Sequence, residues 1–406
     1  MSMGTKARQK SVVQEEHLPS RRKWAVLATA SLLIFSAYLM QYQVSALSFL
    51  IVPEYSLDAV KLSNLMMIPM ALAALAGIPL GAAADRYGTR KVVGICIVIA
   101  LSGAILRVAA DSYEALLLAM FLIGFAPAAM NSNLMRLLGA WFGEKTSFAL
   151  GIYYTCSGLG AFFALVTSAL IGSTHTAFGL STILLGVSCV LWFLFIVDTP
   201  NRKTARHESM RTSLTTSIHC GAVWLVALIT GLSLAAKTAY LSFLPQVLGG
   251  YLDAVQANLM ASAVSIGGIV GCAFGPIMWT TFKEVKPAMI VITAITAALM
   301  ATSVTIASPN ALLFFSVGVL ASVMGPLVEA IPCHIPTLKE SVGSAGGIIG
   351  SVSLAMTYLI PLAISALSSE NFAFITVSMA VCFAAACPLI LMLPGVRSED
   401  FRQSDR

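Results

Sequence analysis

Apolar residues run along the chain in long blocks that are separated by short polar or charged clusters. A helix needs about 20 residues to cross the hydrocarbon core of a membrane, and twelve blocks are long enough. Because a chain in lipid must satisfy its backbone hydrogen bonds internally, each block predicts a membrane-spanning α-helix. The predicted spans are residues 24–52, 60–83, 92–110, 113–139, 147–171, 177–197, 218–247, 255–279, 287–307, 310–332, 342–367 and 371–393.

The composition supports an all-α membrane protein and excludes an ordinary soluble one. Of the 406 residues, 58% are hydrophobic and 10% are charged, and the mean hydropathy is +0.88, whereas soluble domains carry roughly 25% charged residues. The connections between spans are too short to fold as separate domains. The lipid bilayer is therefore the expected environment, and a spread-out net charge of +6 does not indicate nucleic-acid binding.

The basic residues predict the orientation of the chain in the membrane. Of the 24 lysines and arginines, 20 fall in the two tails and in the even-to-odd connections, whereas Lys61 alone falls on the other side. Cytoplasmic loops carry the excess of basic residues, so we expect both termini in the cytoplasm and the protein in the cell membrane. The first block is too long for a signal-peptide core, so we expect the N-terminus to be retained.

An internal repeat divides the chain into two halves. The segment LSFLIVPEYSLDAVKLSNLM at 47–66 returns as LSFLPQVLGGYLDAVQANLM at 241–260, an offset of 194 residues. Six spans per half give the halves the same orientation, which predicts two parallel repeats with a solute site near the midplane between them. The predicted units are a tail at 1–23, a half at 24–198, a linker at 199–217, a half at 218–393 and a tail at 394–406, and we expect a functional monomer.

The connection between the second and third spans reads GAAADRYGTRK at 81–91. It resembles the signature loop of the major facilitator superfamily, although Thr89 stands where the tightest form of the motif has a basic residue. The resemblance implies a twelve-helix secondary transporter in which this loop is a cytoplasmic latch that stabilises the outward-facing state. The matching residues are Gly81, Asp85, Arg86, Gly88, Arg90 and Lys91.

The same loop has a physical reading. Gly81 lets helices approach closely and Gly88 permits a tight turn. Asp85 can pair with Arg86 or Arg90, or cap a helix. The alternative is that the basic residues of the loop only fix the orientation of the chain in the membrane, and that Asp85 has no role in gating. The second half carries aromatic residues in place of Asp85 and Gly88, so the latch is degenerate there.

Lys237 lies within the seventh span, where an ionisable side chain is costly and indicates function. Thr230, Ser233 and Tyr240 share its helical face, which predicts a polar stripe toward the central cavity that holds an anionic solute. The alternative is a structural ion pair or a lysine that reaches out to the membrane surface. By the offset of 194, Gln43 is the counterpart of Lys237 and Ser36 that of Thr230, so we expect both in the same cavity.

Three further ionisable residues lie within spans. Glu329, in the tenth span, is either a proton carrier or the partner of a basic residue near the inner gate. For Arg136 we expect a structural role. Arg107 is expected to extend toward the membrane surface or to pair with nearby acidic residues. Asn131 is expected to share a face with the repeat counterpart of Glu329.

The remaining polar residues add weaker candidates. The cysteines lie in apolar stretches without metal-ligand spacing, so we read them as small hydrophobes and expect neither a metal nor a cofactor. Prolines within spans are expected to kink helices. Further polar or aromatic candidates, at depths within the spans where a solute site is expected, are Tyr38, Gln41, Tyr42, Tyr153, Tyr154 and Tyr358.

These observations favour a secondary transporter of a small, anionic solute, coupled to protons or to an exchanged solute. A drug/proton antiporter of the same superfamily is the alternative, but its GxxxGPxxGG motif is absent because the fifth span reads GIYYTCSGLGAFF. Pro127 followed by the AWF segment is more similar to the branches that carry organic anions, nitrate or cyanate. No phosphate-binding GxxxxGK[ST] loop and no HExxH occurs, so we expect no ATPase and no enzyme; a membrane-embedded enzyme or a sensor is less favoured.

Overall fold

The computed structural model describes residues 20–197, 215–281, 285–305, 309–334, 342–368 and 371–393. Within them, twelve helices are long and apolar enough to cross a membrane, which confirms the predicted number of spans. Most of both tails and of the linker lie outside the described residues. The spans are α1 Ser20–Ala46, α2 Ala59–Tyr87, α3 Thr89–Val108, α4 Tyr113–Ile123 with Phe125–Phe142, α5 Thr146–Ile171, α6 Thr174–Phe195, α7 Gly221–Leu248, α8 Ala254–Thr281, α9 Val285–Thr305, α10 Ala311–Glu329, α11 Val342–Leu367, and α12 Phe372–Ala384 with Ala386–Met392.

We call α1–α6 the N-terminal half and α7–α12 the C-terminal half. The end of the bundle where α1 begins and α12 ends is called the basic end, because most lysines and arginines belong to it. Its counterpart is called the far end. Odd-numbered helices run from the basic end to the far end, and even-numbered helices run back.

Two spans are interrupted by a proline at the same relative position. α4 breaks after Ile123 and α12 breaks after Ala384, and in each the proline, Pro127 or Pro388, follows that residue by four. Proline has no N–H to offer the carbonyl four residues earlier, and its ring clashes with that carbonyl. The helix is thus interrupted ahead of Pro127, whereas Pro69, Pro79, Pro326 and Pro361 lie inside continuous helices.

The first predicted span joins two helices. α1 ends at Ala46, and a short helix, Ser48–Glu54, follows it at the far end. The tenth span likewise ends at Glu329 and continues as a 3₁₀ turn at Ile331–His334, because Pro332 cannot extend the α-helical bonding.

Each helix that begins at the far end starts with a side chain that accepts a backbone N–H. Asp58 accepts from the Lys61 N–H at 2.7 Å and Asp253 accepts from the Gln256 N–H at 2.8 Å. Such caps satisfy amide groups that have no partner within the helix. The repeated LDAV sequence therefore marks the same cap in each half. The other four caps are Ser112, Ser173, Asn310 and Asn371.

The closest helix contact within the bundle joins α8 to α10. A Cβ added to Gly271 would lie 2.1 Å from the Val319 carbonyl oxygen, and one added to Gly318 would lie 2.1 Å from that of Val264. Small residues permit such an approach between membrane helices, where packing replaces the hydrophobic effect. α8 and α10 therefore form one rigid pair, and α10 ends at Glu329.

The halves meet through three pairs of helices: α2 with α11, α5 with α8, and α1 with α7. These helices come from equivalent positions in the two repeats. The interface between the halves therefore surrounds the axis that relates them, and a site on that axis is built from both.

We expect Gly271→Ala to destabilise the protein, because the added methyl group overlaps the α10 backbone. Overpacking of this kind costs about 1–3 kcal/mol, which exceeds the gain in helix propensity. Thermal unfolding of the purified protein in detergent measures the effect as a lower midpoint. Gly346→Ala is the control, since its Cβ would have no described atom within 4 Å; equal midpoints for the two variants would contradict the tight α8–α10 packing.

Candidate functional site

Hydrogen bonds close the far end of the interface between the halves. The Asn258 amide donates to the Ala46 carbonyl at 3.0 Å, where α1 ends. Close by, the Ser45 hydroxyl donates to the Ser242 carbonyl, and the side chains of Tyr42 and Thr238 lie close together. α1, α7 and α8 are thereby tied together near the axis.

A second set of bonds closes the α2–α11 contact at the same end. The Tyr358 hydroxyl donates to Asn64 Oδ1 at 2.9 Å, and Asn64 Nδ2 donates to the Tyr113 hydroxyl at 3.0 Å. We call the cross-half contacts of Tyr42, Ser45, Asn64, Asn258 and Tyr358 the far-end gate. In this structure the gate is closed.

Toward the basic end the halves separate. On α5, a Cβ at Gly158 would meet Ile269 of α8 at 2.5 Å, but one at Gly151, two turns nearer the basic end, would meet no described atom within 4 Å. On α11, likewise, Tyr358 contacts α2 whereas Gly346 and Gly350 face open space. We infer from these clearances that the interface opens into a cavity toward the basic end.

Two opposite charges lie on the C-terminal side of this cavity. Lys237 of α7 is half-buried and interacts electrostatically with Glu329 of α10. Glu329 is solvent-exposed and yet is surrounded by protein, as expected of a residue that lines a deep cavity. Two such charges in a membrane interior stabilise each other, because either one alone is costly.

Tyrosines of the N-terminal half face the same charges. Tyr38 of α1 and Tyr154 of α5 both interact electrostatically with Glu329 and with Cys272 of α8. Tyr154 is 51% exposed although it lies within a span, so its ring also borders the cavity. We call Tyr38, Tyr154, Lys237, Cys272 and Glu329 the central cluster. It joins five helices and both halves.

The central cluster can bind a polar solute from several sides. A lysine ammonium group donates three hydrogen bonds, tyrosine hydroxyls donate and accept, and an ionised carboxylate only accepts. Within the described ranges, no three His, Cys, Asp or Glu side chains come together as metal ligands.

The predicted polar stripe on α7 does not face the cavity as a whole. Thr230 and Ser233 are only 6% and 7% exposed, and their hydroxyls have no hydrogen-bond partner among the described residues. Tyr240 is buried and bonds to Ser303 of α9, inside the C-terminal half. The expectation that Tyr240 borders the cavity is therefore wrong. Asn131 of α4 is exposed.

The expectation that Ser36 and Gln43 face the cavity is also wrong. Ser36 lies 3.1 Å from the Ser188 hydroxyl of α6, and Gln43 Nε2 donates to the Ala177 carbonyl at 3.0 Å. Both side chains are buried inside the N-terminal half.

The register between α1 and α7 explains why Ser36 and Gln43 do not face the cavity. Close to the axis, Tyr42 meets Thr238 and Ser45 meets Ser242, which gives offsets of 196 and 197 between α1 and α7. The sequence repeat has an offset of 194, and each residue turns a helix by about 100°. A shift of two or three residues points Gln43 away from the cavity.

Arg107 neither reaches outward nor pairs with an acidic residue, contrary to expectation. It is 1% exposed, and its guanidinium donates to the Met40 carbonyl at 2.8 Å, to Gln43 Oε1 at 3.0 Å and to Ser181 Oγ at 2.7 Å. The Phe178 ring lies 4.2 Å away. All these contacts are uncharged.

In the signature loop, Asp85 forms an ion pair with neither of the expected partners, Arg86 and Arg90. Asp85, at the end of α2, pairs with Arg136 of α4. Arg90 donates to the Phe193 carbonyl of α6, and Gly88 has a φ of 94°, which only glycine adopts readily. The loop thereby ties α2, α4 and α6 together at the basic end, and Arg136 has a structural partner.

In the sequence, Tyr38 and Tyr154 are two of several tyrosines within spans, and Cys272 is one of several cysteines in apolar stretches. Each lies in a span with no distinguishing spacing, so no sequence signal could have joined them to Glu329. The charges of Lys237 and Glu329 were the usable signal.

We expect Tyr358→Phe to open the far-end gate more often, because the variant loses the O–H donor to Asn64. One net hydrogen bond is worth about 1 kcal/mol, so the ratio of open to closed gates should rise about five-fold. Spin labels at the exposed Glu114 and Gln256 measure the far-end distance by electron–electron resonance, after replacement of the native cysteines. The exposed Tyr251→Phe is the control, and an unchanged distance distribution in Tyr358→Phe would show that the bond does not hold the gate.

Comparisons with known proteins were made for the whole chain. A family model described as "Major Facilitator Superfamily" matches residues 29–357. A "probable nitrate/nitrite antiporter NarK1" of Thermus thermophilus is 34% identical over 141 residues, which are 34% of this chain and 31% of that relative. The chain thus matches less than a third of that relative's length.

Solved structures share the fold. A bacterial homologue of the human lysosomal transporter Spinster, in an inward-facing and unoccupied conformation, has a TM-score of 0.67 at 14% identity, covering 95% of this chain and 98% of the other. The same homologue in its occupied inward-facing conformation has a TM-score of 0.67 at 12% identity, covering 94% and 96%.

Proposed function

The chain belongs to the major facilitator superfamily, and on that premise we propose that it is a secondary active transporter of a small anionic solute. The two halves rock about the central cluster, so that the cluster faces one side of the membrane at a time. The observation that carries this proposal is the electrostatic interaction between Lys237 and Glu329, at an interface that is closed at the far end and has open space toward the basic end. Because both halves belong to one chain, a monomer is sufficient.

The excess of basic residues assigns the basic end to the cytoplasm. The conformation with a closed far-end gate is then the inward-facing state. The Asp85–Arg136 pair at the basic end belongs to the latch, and in this state it ties helices of the N-terminal half to one another.

Lys237 is the proposed anion-binding residue. In the empty cavity Glu329 balances its charge, and an incoming anion takes over that role. Tyr38 and Tyr154 then donate hydrogen bonds to the solute from the N-terminal half, so that binding draws the halves together. The partial match to a nitrate/nitrite antiporter supports a small anion as the solute class.

Glu329 is the proposed coupling residue. Once an anion neutralises Lys237, an ionised Glu329 is left without a counter-charge and takes up a proton. Anion and proton then cross together without an uncompensated charge. If instead the protein carries a second anion back in the opposite direction, it is an anion exchanger. Proton-coupled transport responds to a pH gradient, whereas anion exchange does not need one.

A drug/proton antiporter is the second candidate, and one observation favours it. Glu329 with the Tyr38 and Tyr154 rings nearby is also a site for an organic cation, which carboxylates and aromatic faces both attract. Lys237 opposes such a cation, so the charge of the transported solute separates the two candidates.

We expect Lys237→Ala to weaken anion transport by about 10- to 100-fold in apparent affinity, the effect of losing a hydrogen bond to a charged group. The measurement is uptake by proteoliposomes of nitrate, nitrite, formate and acetate, beside tetraphenylphosphonium as a cationic probe. Lys237→Arg is the matched control and should keep affinity within a few-fold, because it keeps the charge. Uptake of the cation alone by the wild type would reject the anion proposal, and unchanged anion affinity in Lys237→Ala would reject the role of Lys237.

We expect Glu329→Gln to abolish the response of uptake to an imposed pH gradient while anion-for-anion exchange continues, because glutamine keeps the shape but binds no proton. Uptake is compared with and without an inward proton gradient, and exchange is measured in vesicles preloaded with the same anion. Glu114→Gln, which removes an exposed carboxylate at the far end, controls for general effects of charge removal. A pH response in Glu329→Gln equal to that of the wild type would reject proton coupling through this residue.

A further inference from the structure

Arg107 is a fully buried cation that the proposed transport cycle does not use. It lies at the end of α3 near the far end, behind α1 as seen from the cavity. All of its hydrogen-bond acceptors are neutral, and within the described residues no carboxylate pairs with it. Burying such a charge is costly, so its presence calls for a reason.

Arg107 is not needed merely to join α1 and α3, because the C-terminal half joins the equivalent helices without a charge. There, α7 and α9 are joined at the equivalent place by Tyr240 and Ser303, two buried hydroxyls in contact. Gln43 and Tyr240 are 197 residues apart and Arg107 and Ser303 are 196 apart, which matches the register of α1 with α7. A neutral pair therefore makes the same helix contact at a lower desolvation cost.

The charge of Arg107 is directed toward the solute pathway. Its guanidinium bonds to the Met40 carbonyl of α1, and the neighbouring Tyr38 and Tyr42 lie on the pathway side of that helix. A single helix, about 10 Å across, therefore separates the guanidinium from the pathway. Apolar walls screen a charge weakly and concentrate its field in a cleft.

The other charges of the cavity cancel. Lys237 and Glu329 balance each other, and Asp85 and Arg136 balance each other at the basic end. Among the residues that the structure describes, the positive charge within the membrane interior that remains without an opposite charge is that of Arg107.

We propose that Arg107 is a specificity-determining residue that acts at a distance: its fixed positive charge makes the pathway selective for anions without contacting the solute. The inference rests on the proposed function as far as the solute is concerned. The field itself, however, exists and can be measured whatever the solute is.

Cys272 is a natural reporter of that field, since it is partly exposed and belongs to the central cluster. The test compares its rates of modification by an anionic reagent, sulfonatoethyl methanethiosulfonate, and a cationic one, trimethylammonioethyl methanethiosulfonate. Peptide mapping by mass spectrometry isolates Cys272 from the other cysteines, with Cys272→Ser as the blank. The ratio of the two rates cancels any change in thiol reactivity.

Three variants separate charge from bonding. Arg107→Met removes the charge, Arg107→Lys retains it with fewer bonds, and Gln43→Tyr combined with Arg107→Ser copies the neutral pair of the C-terminal half. At a separation of about 20 Å and at low ionic strength, we expect the anionic-to-cationic rate ratio to fall about three-fold or more in both neutral variants. In Arg107→Lys it should stay within two-fold of the wild type.

Lys237→Met serves as the positive control, because removal of a cavity cation must lower the ratio at Cys272. Tyr38→Cys supplies a second reporter position on α1 and must respond in the same direction. A ratio in folded Arg107→Met or in the double variant that equals that of the wild type would overturn the proposal. So would an equal fall in Arg107→Lys, which would mean that the bonds and not the charge matter.

Uptake of nitrate by the same variants tests the consequence for transport. We expect the neutral variants to lose affinity for nitrate several-fold while Arg107→Lys retains it. If the wild type carries no anion but the rate ratio falls as expected, the proposed function fails and the field of Arg107 stands. If the wild type carries nitrate and the rate ratio does not change in the neutral variants, the proposed function stands and the role of Arg107 fails.

Discussion

A charge inside this bundle needs an opposite charge or, as at Arg107, several hydrogen bonds, because lipid and apolar side chains solvate charges poorly. Lys237 and Glu329 meet that demand for each other across α7 and α10, and Asp85 and Arg136 do so across α2 and α4. The proposed function rests on this constraint, because a solute bound beside Lys237 and Glu329 would change the electrostatic environment of both.

The two ends of the interface are built differently. At the far end, short polar contacts such as Tyr358 to Asn64 and Asn258 to the Ala46 carbonyl join the halves. At the basic end, the glycines of α5 and α11 face open space. A few neutral hydrogen bonds, each of modest net free energy, can be exchanged for contacts elsewhere, whereas α8 and α10 are joined by close backbone contacts at their glycines. Rigid pairs and exchangeable contacts are what a rocking motion needs.

The repeat explains much of the architecture but does not make the halves equal. Asp58 and Asp253 cap equivalent helices, and both halves begin with a helix that approaches the axis. Yet both cavity charges belong to the C-terminal half, and the buried uncompensated cation, Arg107, belongs to the N-terminal half. The cavity therefore has a chemically distinct wall on each side, and its tyrosines and its ion pair face each other across the axis.

The sequence by itself determined the number of spans and the nomination of Lys237 and Glu329, because span length and the rarity of intramembrane charge are properties that lipid imposes on any chain. Only the tertiary structure decided which side chains share the cavity. A helix turns by about 100° per residue, so an offset that was wrong by two or three residues sent Gln43 and Ser36 into the N-terminal half. The packing of five helices also brought Tyr38, Tyr154 and Cys272 to Glu329, and no local pattern encodes that meeting.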